Sequence, residues 1–425
     1  MTPTIFPLAP LAKVTSKIGS GATPRGGERA YSETGTPLIR SMNVYDLCIE
    51  REGLAFIDDE QAASLDHVTV AAGDVLINIT GASVARCCLA PAELAGARVN
   101  QHVAIVRTCP EVLDGRFLSY WLVAPGTKAH LLSLARAGGT REALTKGGLE
   151  RFLAPVPEMP VQRRISSILG AYDDLIEVNR RRIALLEGMA RRLFDEWFVH
   201  FRFPGHDAGS QENGLPIGWR RVAIRHAYEG LFDGPHATPP PSDNGPVFLG
   251  IGNLTETGRL DLSSVRHISE ADFPRWTKRV TPREGDIVFT YEATLNRYAL
   301  IPRDFRGCLG RRLALIRADT ASGINRYLYL YFFTPAWREV ITRNTLSGAT
   351  VDRIPLSRFP EFPVVVPTDD ILTRFDKVIA PIFEQLHALG RSNHALARSR
   401  DLLLPRLMSG ELSVAAPECE LEAAA

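Results

Sequence analysis

An apolar seam dominates this chain. It steps alternately by four and three residues from Ile165 through Leu169, Tyr172, Ile176, Asn179, Ile183, Leu186, Ala190 and Leu193 to Trp197, the spacing of a coiled-coil face. Arg163, Arg164, Asp173, Asp174, Arg180, Arg181, Arg182, Arg191 and Arg192 fall off the seam, and Pro160 suits a first helical turn. The spacing predicts one long two-faced helix, which needs a second helix to cover its seam.

That second helix is in the same chain. Each seam position has a counterpart 210 residues on: Phe375, Ile379, Ile382, Leu386, Leu389, Asn393, Leu396, Arg400, Leu403 and Leu407. The offset extends upstream, with Pro157 mapping to Pro367, Phe152 to Phe362, Thr140 to Thr350, Asn43 to Asn253 and Gly35 to Gly245; Gly73-Asp74 and Gly285-Asp286 differ by 212. The chain therefore reads as a tandem duplication of one globular unit followed by one long helix. The expected fold class is α+β, with two tandem α/β domains and the two helices packed as an antiparallel coiled coil. Domain one should span 1–157, the central helix 158–200, a linker 201–218, domain two 219–367, the C-terminal helix 368–413 and a disordered tail 414–425. Pro381 and Pro405 should kink or end the second helix.

An antiparallel pair has facing positions of constant sum, here 572, so that Ile165 meets Leu407, Ile176 meets Leu396, Asn179 meets Asn393, Leu186 meets Leu386 and Trp197 meets Phe375. Two facing amides satisfy each other and penalise slipped registers. Arg400 should lie over the ring of Tyr172.

Composition excludes several classes. At 425 residues, 45% of them apolar, there is enough chain for two cored domains, and no run of 18 or more apolar residues appears. The expectation is a cytoplasmic protein with no membrane partner. Cys48, Cys87, Cys88, Cys109, Cys308 and Cys419 lack metal-site spacing, and only Cys88 and Cys308 fall near related places in the repeats. The glycines from Gly19 to Gly27 are not followed by Gly-Lys-Ser/Thr, and no methyltransferase, hydrolase or zinc-protease motif is present. No catalytic residue, bound metal or bound cofactor is expected.

Strands are expected over 36–44, 68–79, 99–106, 246–254, 285–291 and 313–317, with helices over 117–134 and 327–341. Before each of the two long helices comes a loop with the same chemistry. Arg136 to Gly148 holds glycines, Thr140, Arg141, Thr145 and Lys146, and Leu346 to Arg353 holds Gly348, Thr350 and Arg353. Such loops can set backbone N–H groups and cations against phosphates.

Three further stretches carry a resemblance: Ala154-Pro155-Val156-Pro157 with Gln162-Arg163-Arg164-Ile165 and Leu185-Leu186 to Phe194; Leu215-Pro216-Ile217-Gly218-Trp219; and Leu402-Leu403-Leu404-Pro405-Arg406-Leu407-Met408-Ser409-Gly410-Glu411-Leu412. With these the chain resembles the specificity subunit of a type I restriction-modification system over nearly its whole length. It departs from the family pattern at Met159-Pro160-Val161, where an acidic residue is usual before Gln162, and at Pro381. The resemblance implies a non-catalytic subunit whose two target-recognition domains each read half of a bipartite double-stranded DNA site, with the helices as a ruler. It implies two modification subunits that bind S-adenosylmethionine and two restriction subunits that use ATP and Mg. The candidate DNA contacts are Arg25, Arg40, Asn43, Asn78, Arg86, Gln101, Arg136, Thr140, Arg141 and Lys146 in the first domain, and His236, Asn253, Tyr291, Asn296, Arg297, Arg311, Arg343, Thr350 and Arg353 in the second. On a blander reading Arg86 and Arg311 close surface ion pairs, and Asn43 and Asn253 cap turns. A tandem scaffold acting only through its coiled coil is the alternative function.

Overall fold

The computed structural model describes residues 2–136, 142–205, 211–262, 264–348 and 351–414. The chain forms two compact units, Met1–Asn179 with Ser392–Ala425, and Arg180–Arg391. Each boundary falls inside a long helix, because the central helix spans Met159–Phe194 and the C-terminal helix Asp369–Ser409. Each unit therefore owns half of both.

The duplication is visible strand by strand. In unit 1 an antiparallel sheet runs Thr15–Ser20, Val103–Thr108, Val75–Asn78, Cys87–Leu89; in unit 2 the same order is Gly230–Asp233, Leu313–Arg317, Ile287–Thr290, Tyr298–Leu300. A three-stranded sheet accompanies each, with one parallel pair: Thr36–Ile39 beside Arg98–Val99, and Ser242–Leu249 beside Gly307–Leu309. Each unit also has a strand that pairs with the strand leading into a long helix, Leu8–Pro10 with Leu153–Pro155 and Arg220–Ala223 with Pro363–Val366.

The same residues fix both frames. Asp74, buried, takes Nε and Nη2 of Arg107 at 2.7 Å each and the N–H of Ala71; Asp286 takes Arg317 at 2.9 and 2.7 Å and the N–H of Arg283. Gly35 and Gly245 have φ of +127° and +114°, and a Cβ there would sit 2.4 Å from the Ile57 carbonyl oxygen and 2.3 Å from that of Ile268. Only glycine fits such a backbone.

The single helices expected over 117–134 and 327–341 are each two, Gly115–Val123 with Pro125–Arg136 and Ile324–Tyr331 with Pro335–Asn344. A proline opens the second of each pair, at the position where its missing N–H costs nothing. The C-terminal helix, by contrast, runs through Pro381 and Pro405 without interruption and ends before Gly410 at φ +78°. Pro381 is exposed, and the carbonyls left bare belong to the exposed residues Lys377 and Asp401, where water can serve them. Cys88 and Cys308 are not equivalent, because the first lies in the four-stranded sheet of its unit and the second in the three-stranded sheet.

Each unit seats its halves of the long helices differently. In unit 1 Ile165 and Leu169 share a core with Leu404, Leu407 and Met408. Buried Gln162 accepts the N–H of Asp114 and donates to the carbonyls of Val112 and Pro157, while Ser166 donates to the Asp114 carboxylate. The expected amide pair is present, Asn179 Nδ2 donating to Asn393 Oδ1 at 2.9 Å. Arg400 is not over Tyr172; it meets Asp173, which also accepts from Tyr120, and Asp401. A carboxylate one residue along offers charge-assisted bonds that a ring face cannot match. In unit 2 the seat is aromatic. Phe198 packs on Tyr327 and Phe375 at 4.8 and 4.7 Å, Trp197 on Phe375 at 5.5 Å, and Trp219 stacks on Phe203 at 5.6 Å.

Candidate nucleic-acid interface

In both units one end of the four-stranded sheet gathers the loops. Unit 1 sets Ser20 beside Ala104, Val103 opposite Asn78 and Ile77 opposite Cys87. The turns 21–24, 79–86 and 100–102 therefore leave from one edge. The segment before the central helix joins them, since Ala143 bridges Thr80 and Leu144 N–H donates to the Ile79 carbonyl at 2.8 Å. Unit 2 repeats this: Leu313 faces Thr290, Arg353 bridges Glu292, and Ile354 N–H donates to the Tyr291 carbonyl at 2.7 Å. The sequence had marked these two pre-helix segments by their chemistry, and the fold brings both to the same place. Thr140, Arg141 and Thr350 lie outside the described residues.

Several candidates belong to the frame rather than to a reading surface. Asn43 is buried, accepting from Arg40 N–H and donating to the Glu50 carbonyl; Asn253 does the same with Gly250 and with the carbonyls of Asp261 and Ser264. Both cap turns. Tyr291 is buried and donates to the Arg311 carbonyl at 2.9 Å. Burial, followed by Asp233 and Glu292, pushes its phenol up to about 12, so it stays a neutral donor near neutral pH. Asn78, also buried, gives its amino group to Ser41, Val44 and Ser83, while its carbonyl oxygen has no hydrogen-bond partner among the described residues.

Other cations are held. Arg86 lies 4.6 Å from the ring of Tyr45, and its place in unit 2 is taken by Arg297, bound to the Leu254 carbonyl and Glu256. The backbone shows the equivalence, since Asn78 N–H bonds the Arg86 carbonyl and Thr290 N–H that of Arg297. Arg86 thus makes a cation–π contact where an ion pair was the bland expectation. Arg40 reaches the Gly53 carbonyl and the Tyr31 ring. Arg136 pairs with Glu142, Lys146 with Glu150 at 3.8 Å, and Arg343 with Glu339 along its own helix. His236 meets Asp233 at 3.0 Å, and Asn296, at φ +61°, accepts from Tyr298. Arg25, Arg311 and Arg353 are exposed, and their guanidinium groups have no side-chain partner among the described residues. Exposed ion pairs are worth little, so the paired cations can also exchange a carboxylate for a phosphate.

Four residues at this edge escaped the reading of the sequence. Thr80 Oγ1 meets His102 Nδ1 at 2.6 Å, and His102 Nε2 meets Gln101 Nε2 at 3.0 Å. In unit 2 Arg312 meets Glu292 at 3.5 Å. The 210-residue offset that links Gln101 to Arg311 also links His102 to Arg312, and following it one residue further would have found that pair.

A loop cluster built twice on one frame, with donors and cations at its edge, is what a reader of two short sequences needs. Residues 16–188 match the family of type I restriction modification DNA specificity domains. The chain is similar to the type I specificity subunits. It is 24% identical over 312 residues to the type I restriction enzyme MjaIX specificity subunit of Methanocaldococcus jannaschii, a match over 69% of this chain and 68% of that one. It is 20% identical over 402 residues to the HindI specificity subunit of Haemophilus influenzae, over 80% and 86% of the two chains. In fold it is similar to the crystal structure of a type I restriction-modification system S subunit from M. genitalium, with a TM-score of 0.56 and 12% identity over 96% of this chain and 99% of that one.

Proposed function

We propose that this chain is a specificity subunit that reads a bipartite DNA site, one half-site per globular domain, through the loop-bearing edges of the two four-stranded sheets. The observation that carries the reading is the duplicated edge, where two units with one frame present different donors and charges. Arg25, Arg311, Arg353 and the exchangeable pairs of Arg136 and Lys146 supply phosphate contacts, and the strand-end side chains face base edges. The two long helices set the spacing, and the Asn179–Asn393 layer fixes their register.

Modification subunits dock on the helices. Leu175, Val178, Leu185 and Met189 are exposed on the central helix at heptad-compatible spacing, a second apolar stripe that suits a partner helix. Methyl transfer with S-adenosylmethionine belongs to those partners, and ATP- and Mg-dependent cleavage to two restriction subunits. The isolated chain should show neither activity. The test is a salt titration of duplex binding by the complex with its modification subunits, combined with sequencing of methylated adenines. Affinity should fall steeply as salt rises, with a log–log slope near about −0.9 per neutralised phosphate. Salt-independent binding, or methylation without a split sequence, would reject the reading.

A further inference from the structure

One cross-strand pair occupies the same place in both units. Ile79 N–H donates to the His102 carbonyl at 2.9 Å, and Tyr291 N–H to the Arg312 carbonyl at 3.2 Å. The next residues along, Thr80 and Glu292, each meet the side chain across the gap, His102 in unit 1 and Arg312 in unit 2. The backbone geometry is kept and the chemistry is not. At the opposite end of the same strands the reverse holds, because Asp74–Arg107 and Asp286–Arg317 are the same ion pair twice.

We infer that the pairs Thr80–His102 and Glu292–Arg312 are specificity-determining positions, each setting the base preference of its own half-site. This rests on the DNA-recognition reading above. A duplicated reader must hold its strands alike and vary what the strand ends present, and among these equivalent side-chain pairs this one varies in charge. In unit 1 a hydroxyl, an imidazole and the adjoining Gln101 amide offer donors and acceptors, the chemistry that pairs with adenine N6 and N7. In unit 2 the guanidinium of Arg312 beside exposed Arg311 offers donors suited to guanine O6 and N7, and the Glu292 carboxylate an acceptor for cytosine N4. All four residues are half-buried. Unit 1 therefore reads an A·T pair at this place and unit 2 a G·C pair.

The test uses the full chain in complex with its modification subunits, acting on a library of duplexes randomised across the site, with methylated adenines mapped by sequencing. Wild type, the double variant Thr80→Glu with His102→Arg, and the double variant Glu292→Thr with Arg312→His are compared. The first should shift preference towards G·C by about tenfold or more at one or two adjacent base pairs of one half-site. The second should shift the other half-site towards A·T, and neither should change the opposite half. Where a double variant melts early, the single variants His102→Arg and Arg312→Gln replace it and are read in the same way. Unchanged preferences in a folded, DNA-binding variant, or shifts in both halves together, would overturn the assignment. A wild-type complex that selects no bipartite sequence would instead remove the recognition reading on which it rests.

Discussion

The two ends of each four-stranded sheet carry opposite kinds of sameness. At one end Asp74–Arg107 and Asp286–Arg317 make the same ion pair on a buried aspartate in both units, with the same support from a backbone N–H. At the other end the pair is hydroxyl–imidazole in unit 1 and carboxylate–guanidinium in unit 2. A second contrast runs between the units, since unit 1 grips its helix halves with buried polar pegs and unit 2 with aromatic rings. A duplicated scaffold stays recognisable where the backbone must be held in place. It diverges at the strand ends proposed to meet DNA and where several packings hold a helix equally well.

These contrasts can be broken by mutation. Trp219→Ala should cost unit 2 about 3–5 kcal/mol through lost aromatic packing, whereas Gln162→Leu should destabilise unit 1 by stranding the Asp114 N–H and two carbonyls; separate calorimetric transitions would report which unit has weakened. Asp74→Ala and Asp286→Ala should each cost about 2–3 kcal/mol, because the charge-assisted bonds to the part-exposed arginine and the bond from the backbone N–H are lost together. Unequal losses in chemical denaturation would show that the two frames are not equivalent. Asn393→Leu should cost about 1–3 kcal/mol by leaving the buried Asn179 amide unpaired and should loosen the spacing preferred between half-sites, with adding Asn179→Leu recovering stability but not spacing. Smallest in stability are Arg311→Ala and Arg353→Ala, within about 0.5 kcal/mol in melting experiments. Each should lower the salt slope of DNA binding by about one if it touches phosphate.

The repeat and the register of the helices were legible because both are periodic, and a seam interrupted by two asparagines in facing positions has one comfortable alignment. The parallel pairing of Thr36–Ile39 with Arg98–Val99 was not legible, since a contact between strands some sixty residues apart leaves no local pattern. The prolines of the C-terminal helix misled because their cost depends on whether water reaches the carbonyl they strand, and exposure cannot be read from a seam alone. Among the site candidates, the asparagines and Tyr291 look in sequence like readers. A side chain that caps a turn and one that meets a base need the same donors, so only the fold tells Asn43 from Gln101. Arg311, for which an ion pair was the bland expectation, is exposed, as is Arg353, and neither guanidinium has a side-chain partner among the described residues.

The two units also differ in how they are assembled from the chain. Unit 2 is a single stretch, Arg180–Arg391, whereas unit 1 is closed by residues from both ends of the sequence. Ile5 N–H bonds the Ser409 carbonyl, and Leu404, Leu407 and Met408 complete the core around Ile165 and Leu169. During synthesis, at about 5–20 residues per second, the domain made first must therefore wait with an open core until the last helix leaves the ribosome. The domain made second is the first that can be finished. A nascent chain stopped before Leu404 has every residue of unit 2 but lacks Leu404, Leu407 and Met408, which share the core of Ile165 and Leu169.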